Sequence, residues 1–142
     1  MKTALIYARS ACPNSSFQID QQQSMCKAFA EKNGFIVTDE IAEYGVVGGG
    51  TKRPSLQKVL SMAGAQCIDV LILPSLSRIS RKPVEALAFL DAVSVCGVEI
   101  WSVREGNYAE WRAAYGKMIQ KVVKEYLEID KDDTGDRACI DE

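Results

Sequence analysis

Four arginines stand where this chain leaves or enters a regular element: Arg9, Arg53, Arg78 and Arg81. The densest group is Asp69-Val-Leu-Ile-Leu-Pro-Ser-Leu-Ser-Arg-Ile-Ser-Arg81, where Arg78 and Arg81 lie three apart among Ser75, Ser77 and Ser80. A guanidinium presents a planar fork of donors that matches the oxygens of a phosphate. Two of them among hydroxyls therefore suit an anion, whereas two solvated arginines near a helix start would do no chemistry. The run from Val70 to Leu73 has no polar alternation, so it reads as a buried parallel strand ended by Pro74. The arginine loop then follows the carboxyl end of a central strand, which is where open α/β sheets take their ligands.

The elements that must position these groups follow from local pattern. Thr3 to Ala8 is apolar and β-prone, a first strand, and the polar stretch Arg9 to Ser16 is a loop. Gln18 to Asn33 reads as a helix with an apolar stripe of Ile19, Met25, Cys26 and Phe29, closed by Gly34. Phe35 to Tyr44 is a second strand. Residues 45–52, with Gly48-Gly49-Gly50, form a loop, and Pro54 opens a helix to about Gly64. Asp69 to Leu73 is the third strand. A helix from Pro83 to Cys96 ends at Gly97, and Val98 to Val103 is a fourth strand. From Ala109 to about Ile129 apolar residues recur at three- and four-residue steps, including Trp111, Tyr115, Met118, Val122 and Tyr126.

Strands alternating with helices predict a three-layer α/β fold, a mainly parallel sheet with helices on both faces, followed by a longer C-terminal helix. Residues 1–106 form the domain, 107–129 the long helix, and 130–142 an acidic, disordered tail. In such a sheet the first and third strands end on the same edge, so Arg9 can meet Arg78 and Arg81 around one anion. The alternative is an Arg9 paired with a carboxylate such as Asp20 or Glu43.

Composition narrows the function classes. The chain has 142 residues, enough for one domain with a real core. No apolar run reaches the roughly 18 residues of a membrane span, and Arg9 comes too early for a signal peptide. The five cysteines are scattered without a C-x-x-C pair and there is no histidine. Neither a zinc site nor a disulfide framework is expected, no metal or small-molecule cofactor is implied, and a reducing cytoplasm fits. The net charge of −2 hides an asymmetry. Residues 1–124 carry +4, whereas residues 125–142 carry −6. The basic body is compatible with nucleic acid.

Two familiar motifs are approached and missed. The triple glycine with Thr51-Lys52 lacks the Gly-Lys-Ser/Thr order of a phosphate-binding Walker loop. Cys12 lies just past the first strand, as a phosphatase cysteine would, but Pro13 to Ile19 holds no arginine to complete that loop.

Taken in order, Tyr7-Ala8-Arg9, Ile19-Asp20-Gln21-Gln22, Lys52-Arg53-Pro54-Ser55-Leu56, Leu76-Ser77-Arg78-Ile79-Ser80-Arg81 and Gly97-Val98 resemble the catalytic domain of serine recombinases (resolvases, invertases and related integrases), over roughly residues 3–106. The resemblance implies DNA as partner, cleavage and rejoining through a phosphoserine link without a metal, and dimers or tetramers built on the long helix. It implies active-site roles for Arg9, Gln22, Arg53, Arg78 and Arg81, the four arginines holding the backbone phosphate.

Departures from the family pattern are specific. The nucleophilic serine is expected two residues after the first arginine, and Ala11 occupies that position. Ser10 is one residue early and, on a continuing strand, faces the opposite side unless a bulge re-aims it. Ser77 stands where an aspartate is expected, and a hydroxyl is no acid near neutral pH. Three readings follow: a site-specific recombinase domain whose nucleophile position holds Ala11; a non-catalytic relative that binds DNA backbone or oligomerises; or a flavodoxin-like domain for a small phosphorylated ligand.

Overall fold

The computed structural model describes residues 1–10, 16–44, 53–116, 121 and 124. Strands β1 (Thr3–Ser10), β2 (Ile36–Tyr44), β3 (Val70–Leu73), β4 (Glu99–Ser102) and β5 (Gly106–Asn107) form one sheet in the order β2-β1-β3-β4-β5. The first four are parallel and β5 is antiparallel to β4. Helices α1 (Ser16–Lys32), α2 (Pro54–Gly64) and α3 (Pro83–Val95) make the connections, and α4 begins at Tyr108. The α/β three-layer expectation holds.

Connection handedness places the helices. The step from β1 to β2 runs one way along the sheet, and the steps to β3 and β4 run the other way. Right-handed crossovers then put α1 on one face and α2 and α3 on the opposite face. Two cores record this. Ala4, Ile6, Val70 and Ile72 meet Cys26 and Ala30 of α1. Leu5, Tyr7, Leu71 and Leu73 meet Leu56 and Val59 of α2 and Leu87 and Leu90 of α3. Alternate residues of β1 and β3 thus feed opposite cores, and these strands are apolar throughout because both faces are covered.

Most boundaries lie close to the sequence expectation, and three differ instructively. β1 extends through Ser10, beyond the expected Ala8, because its residues keep pairing with β2 as far as Ser10 with Tyr44. The two-residue β5 is unanticipated; Gly106, at φ +96°, makes the turn that folds it back on β4. The segment after β3 is a 3-10 turn, Leu76–Arg78, rather than open loop. Gly97, at φ +91°, ends α3 as expected, since an L side chain is strained in that conformation.

The helix expected from Ala109 starts at Tyr108, capped by the Asn107 Oδ1 accepting from Glu110 N–H at 3.0 Å, and is described to Ala114. It is docked on α3: the Tyr108 hydroxyl donates to Asp91 at 2.7 Å, and Arg112 pairs with the same carboxylate at 3.0 Å. Tyr108, Trp111 and Tyr115 form a ladder of rings along one face. Lys121 and Lys124 are also helical. The rest of the long-helix span, the acidic tail, Ala11, Cys12 and the glycine loop lie outside the described residues. No helix among the described residues is long and apolar enough to cross a membrane.

The two-core arrangement makes Ile72 a stringent test, since it is fully buried between β1 and α1. Ile72→Ala should lower unfolding free energy by about 2–5 kcal/mol. Val95→Ala, at an exposed site on α3, should change it by under about 0.5 kcal/mol. Urea unfolding of the two variants makes the comparison.

Candidate functional site

β1 and β3 are neighbours, and their paired residues are Ala4 to Ile6 with Val70 to Ile72. Because the chain leaves β1 toward one side of the sheet and β3 toward the other, a crevice opens beyond their carboxyl ends. Arg9 lies at that end of β1, and the 3-10 turn lies at that end of β3. Leu76 and Ile79 are buried and fasten the turn to the core. Glu105 holds its start: the carboxylate accepts the Leu76 N–H at 3.1 Å and is also bonded to Ser102 Oγ. An acid at the first N–H groups of a helical turn is favourably placed.

The carbonyls of the turn are taken by arginines. Arg9 is only 1% exposed, and its guanidinium donates from Nε to Arg78 O at 2.8 Å and from Nη2 to Ser77 O at 3.4 Å. Arg53, reaching in from the residue before α2, donates from Nη2 to Ile79 O at 3.0 Å. Three successive carbonyls are therefore held by two cations from distant parts of the chain. Charge-assisted bonds of this kind are stronger than neutral ones, and burial strengthens them further.

Arg53 is set by a second group of side chains. Its Nε pairs with Glu43 at 3.2 Å, and its Nη2 also donates to the Tyr7 hydroxyl at 3.0 Å. The Tyr7 hydroxyl donates in turn to Glu43 Oε1. Burial, and then the bond to the Glu43 carboxylate, push the Tyr7 phenol well above its ordinary pKa. Sequence reasoning treated Glu43 only as a possible partner of Arg9, and Tyr7 only as part of a motif. The signal for Glu43 was parity: it stands two residues after Ile41, which faces the core shared with Tyr7.

Gln22 acts on the backbone. Its Nε2 donates to Arg9 O and its Oε1 accepts from Arg9 N–H, both at 3.1 Å. β3 has ended at this level, so the amide takes the place of a strand partner for Arg9. Arg78 adds a long bond, Nη1 to the same Arg9 O at 3.4 Å. Arg9, Gln22, Arg53 and Arg78 are thus drawn together.

Ser10 and Arg81 lie apart from that group. The register from Leu5 to Ser10 is unbroken, so Ser10 points away from the Arg9 side chain; its Oγ donates to Gln18 of α1 at 2.9 Å. Arg81 is exposed and lines a separate cavity of about 180 Å³ with Ser77, Ser80, Pro83, Glu105 and Trp111. Ser77 Oγ lies 3.0 Å from Ser75 Oγ. Ala11 lies outside the described residues.

Comparison with known proteins agrees with this fold. The family described as "Resolvase, N terminal domain" matches residues 4–139. The N-terminal catalytic domain of TP901-1 integrase aligns with a TM-score of 0.79 at 21% identity, over 91% of this chain and 99% of that one. A resolvase family site-specific recombinase from Streptococcus pneumoniae aligns at 0.73 with 16% identity, over 92% and 93% of the two chains. The C-terminal catalytic domain of ISC1926 TnpA, an IS607-like serine recombinase, aligns at 0.66 with 23% identity, over 71% and 70%. These likenesses carry the fold. No curated protein matches the chain.

The Tyr7 network has a pH signature. A raised folded pKa means that the folded state keeps the phenol proton after the unfolded chain, with its ordinary value of about 10, has lost it. The stability contribution is therefore complete below about pH 10 and is lost as pH rises through the folded value. Tyr108, raised by burial and by Asp91, acts in the same direction. Stability measured by urea unfolding should decline above about pH 10. Tyr7→Phe and Tyr108→Phe should each flatten that decline in part, and the double variant should flatten it most.

Proposed function

Because the chain belongs to the resolvase N-terminal domain family, we propose that it is a serine-recombinase catalytic domain that grips the DNA backbone through Arg9, Arg53 and Arg78, with Arg81 meeting the backbone from the other flank of the turn, its nucleophile position held by Ala11. The observation that carries this reading is the gathering of Arg9, Arg53 and Arg78 around one turn at the crevice between β1 and β3. Positioned cations there can stabilise charge on a phosphorus centre, with no metal needed for that part of the work.

In this reading Gln22 is a positioning residue, since it fixes the backbone of Arg9. Glu43 and Tyr7 do the same for the Arg53 side chain. The helix that begins at Tyr108 joins copies of the chain into dimers or tetramers on DNA. Binding needs charge and geometry, and both remain without a serine at position 11.

Two observations favour the non-catalytic alternative, a relative that keeps the DNA grip alone. Ser10 is buried against Gln18, on the side of the strand away from the Arg9 guanidinium. Ser77, which stands where the family places an aspartate, offers only a neutral hydroxyl.

A denaturing gel with end-labelled DNA carrying the recombination site of the encoding element separates these readings. The unmodified chain and Ser10→Ala should form no covalent adduct. Ala11→Ser should form one, at a rate on the order of 10³-fold or more above the unmodified chain. An adduct from the unmodified chain that disappears in Ser10→Ala would make Ser10 the nucleophile and overturn the assignment of position 11. No adduct from Ala11→Ser, with DNA binding intact, would leave the non-catalytic relative.

A further inference from the structure

On the face of the sheet covered by α1 lies a cleft of about 390 Å³, lined by Gln22, Met25, Ser75, Arg78, Val103 and Arg104. It adjoins the turn from the side opposite the cavity of Arg81. Arg104 follows β4, and its backbone N–H donates to Pro74 O at 3.2 Å, which ties it to the end of β3. Its side chain is exposed.

Among the described residues no acid faces the charges in this cleft. None of its lining residues is acidic, and among the described residues neither Arg78 nor Arg104 is paired with a carboxylate. Arg78 Nε is buried and, among the described residues, has no hydrogen-bond partner. A buried donor on a cation is costly to leave without an acceptor, so such a group in a native site calls for an acceptor that arrives from outside. Two guanidiniums flanking one cleft suit a tetrahedral oxyanion with several acceptor oxygens. The cleft is roomier than a lone oxyanion needs, and Met25 and Val103 give it apolar walls, which fit the sugar carbons of a nucleic-acid backbone.

We infer that Arg104, together with Arg78, holds a second backbone phosphate of the bound DNA, beside the one gripped at Arg9, Arg53 and Arg78. The inference rests on the DNA-binding reading above and extends it to a residue, Arg104, that belongs to none of the motifs carrying the family resemblance. Arg78 stands between the two phosphates: its Nη1 leans on Arg9 O, and its side chain also lines the cleft. The contact reads no bases, so it adds affinity and register without sequence preference.

The test measures binding of two fluorescent duplexes of unrelated sequence by anisotropy, across a series of chloride concentrations. The unmodified chain is compared with Arg104→Gln and with Lys32→Gln. Lys32 is the last residue of α1, near the opposite edge of the sheet, and its loss changes net charge equally. Arg104→Gln should weaken both duplexes alike and reduce the slope of log affinity against log salt by about one. Lys32→Gln should leave that slope unchanged, and both variants should keep the parent melting temperature.

If the unmodified chain binds and the two variants behave identically, the second phosphate is not at Arg104, while the DNA reading stands. If the unmodified chain binds neither duplex, the DNA reading and this inference fall together. A third arm compares melting in inorganic phosphate and in chloride at equal ionic strength. Stabilisation by phosphate that Arg104→Gln abolishes, with DNA affinity unaffected, would make this a free-phosphate cleft and overturn the inference.

Discussion

The site depends on two buried or nearly buried guanidiniums spent on backbone carbonyls. Arg9, at the end of β1, and Arg53, just before α2, close on Ser77, Arg78 and Ile79. A 3-10 turn leaves its last carbonyls without partners inside the turn, and neutral acceptors in a dry site are poorly tolerated. Guanidinium N–H groups donate to them and so fix the turn. Arg53 has a buried acid beside it, Glu43, which is itself shared with Tyr7. The rest of the site follows from that constraint: Gln22 steadies the strand that bears Arg9, Glu105 holds the start of the turn, and Arg78 is carried on the turn with one donor still unmet.

Much of the scaffold was legible because its signals are local. Val70 to Leu73 and Thr3 to Ala8 are apolar on both faces because both faces are covered, and Pro54, Pro83, Gly34 and Gly97 mark helix ends by their backbone limits. The positions of the arginines were legible too, since Arg9 follows the first apolar run, Arg53 precedes Pro54, and Arg78 and Arg81 fall between the third apolar run and Pro83. Where their side chains go was not. Arg9 and its carbonyl partners lie 68 and 69 residues apart in the chain, and Arg53 and Ile79 lie 26 apart. No spacing rule reaches across a crossover. β5 was missed because two residues carry no periodicity, and the end of β1 because Arg9 and Ser10 are polar yet buried, which only pairing with β2 explains.

The separation of Arg78 from Arg81 is the main refinement of the sequence picture. Three residues apart on a turn, they could have faced one anion. Instead Arg78 borders the cleft beside α1, while Arg81 borders a cavity against α3 and α4. The turn therefore stands as a ridge with a guanidinium on each flank, which suits a ligand longer than one phosphate. The ridge depends on no side chain at position 77, because the clamp is on backbone carbonyls.

The most direct measurement of the central claim is an NMR titration of the unmodified chain with duplex DNA at low salt, observing backbone amides and arginine Nε–H groups. The account predicts the largest shifts at Arg78 Nε and at the amides of residues 75–81, with Arg9 Nε–H remaining protected from exchange because it stays bonded to Arg78 O. Shifts confined to the opposite edge of the sheet, around Gln66, Asp69 and Gly97, with the turn unmoved, would contradict it.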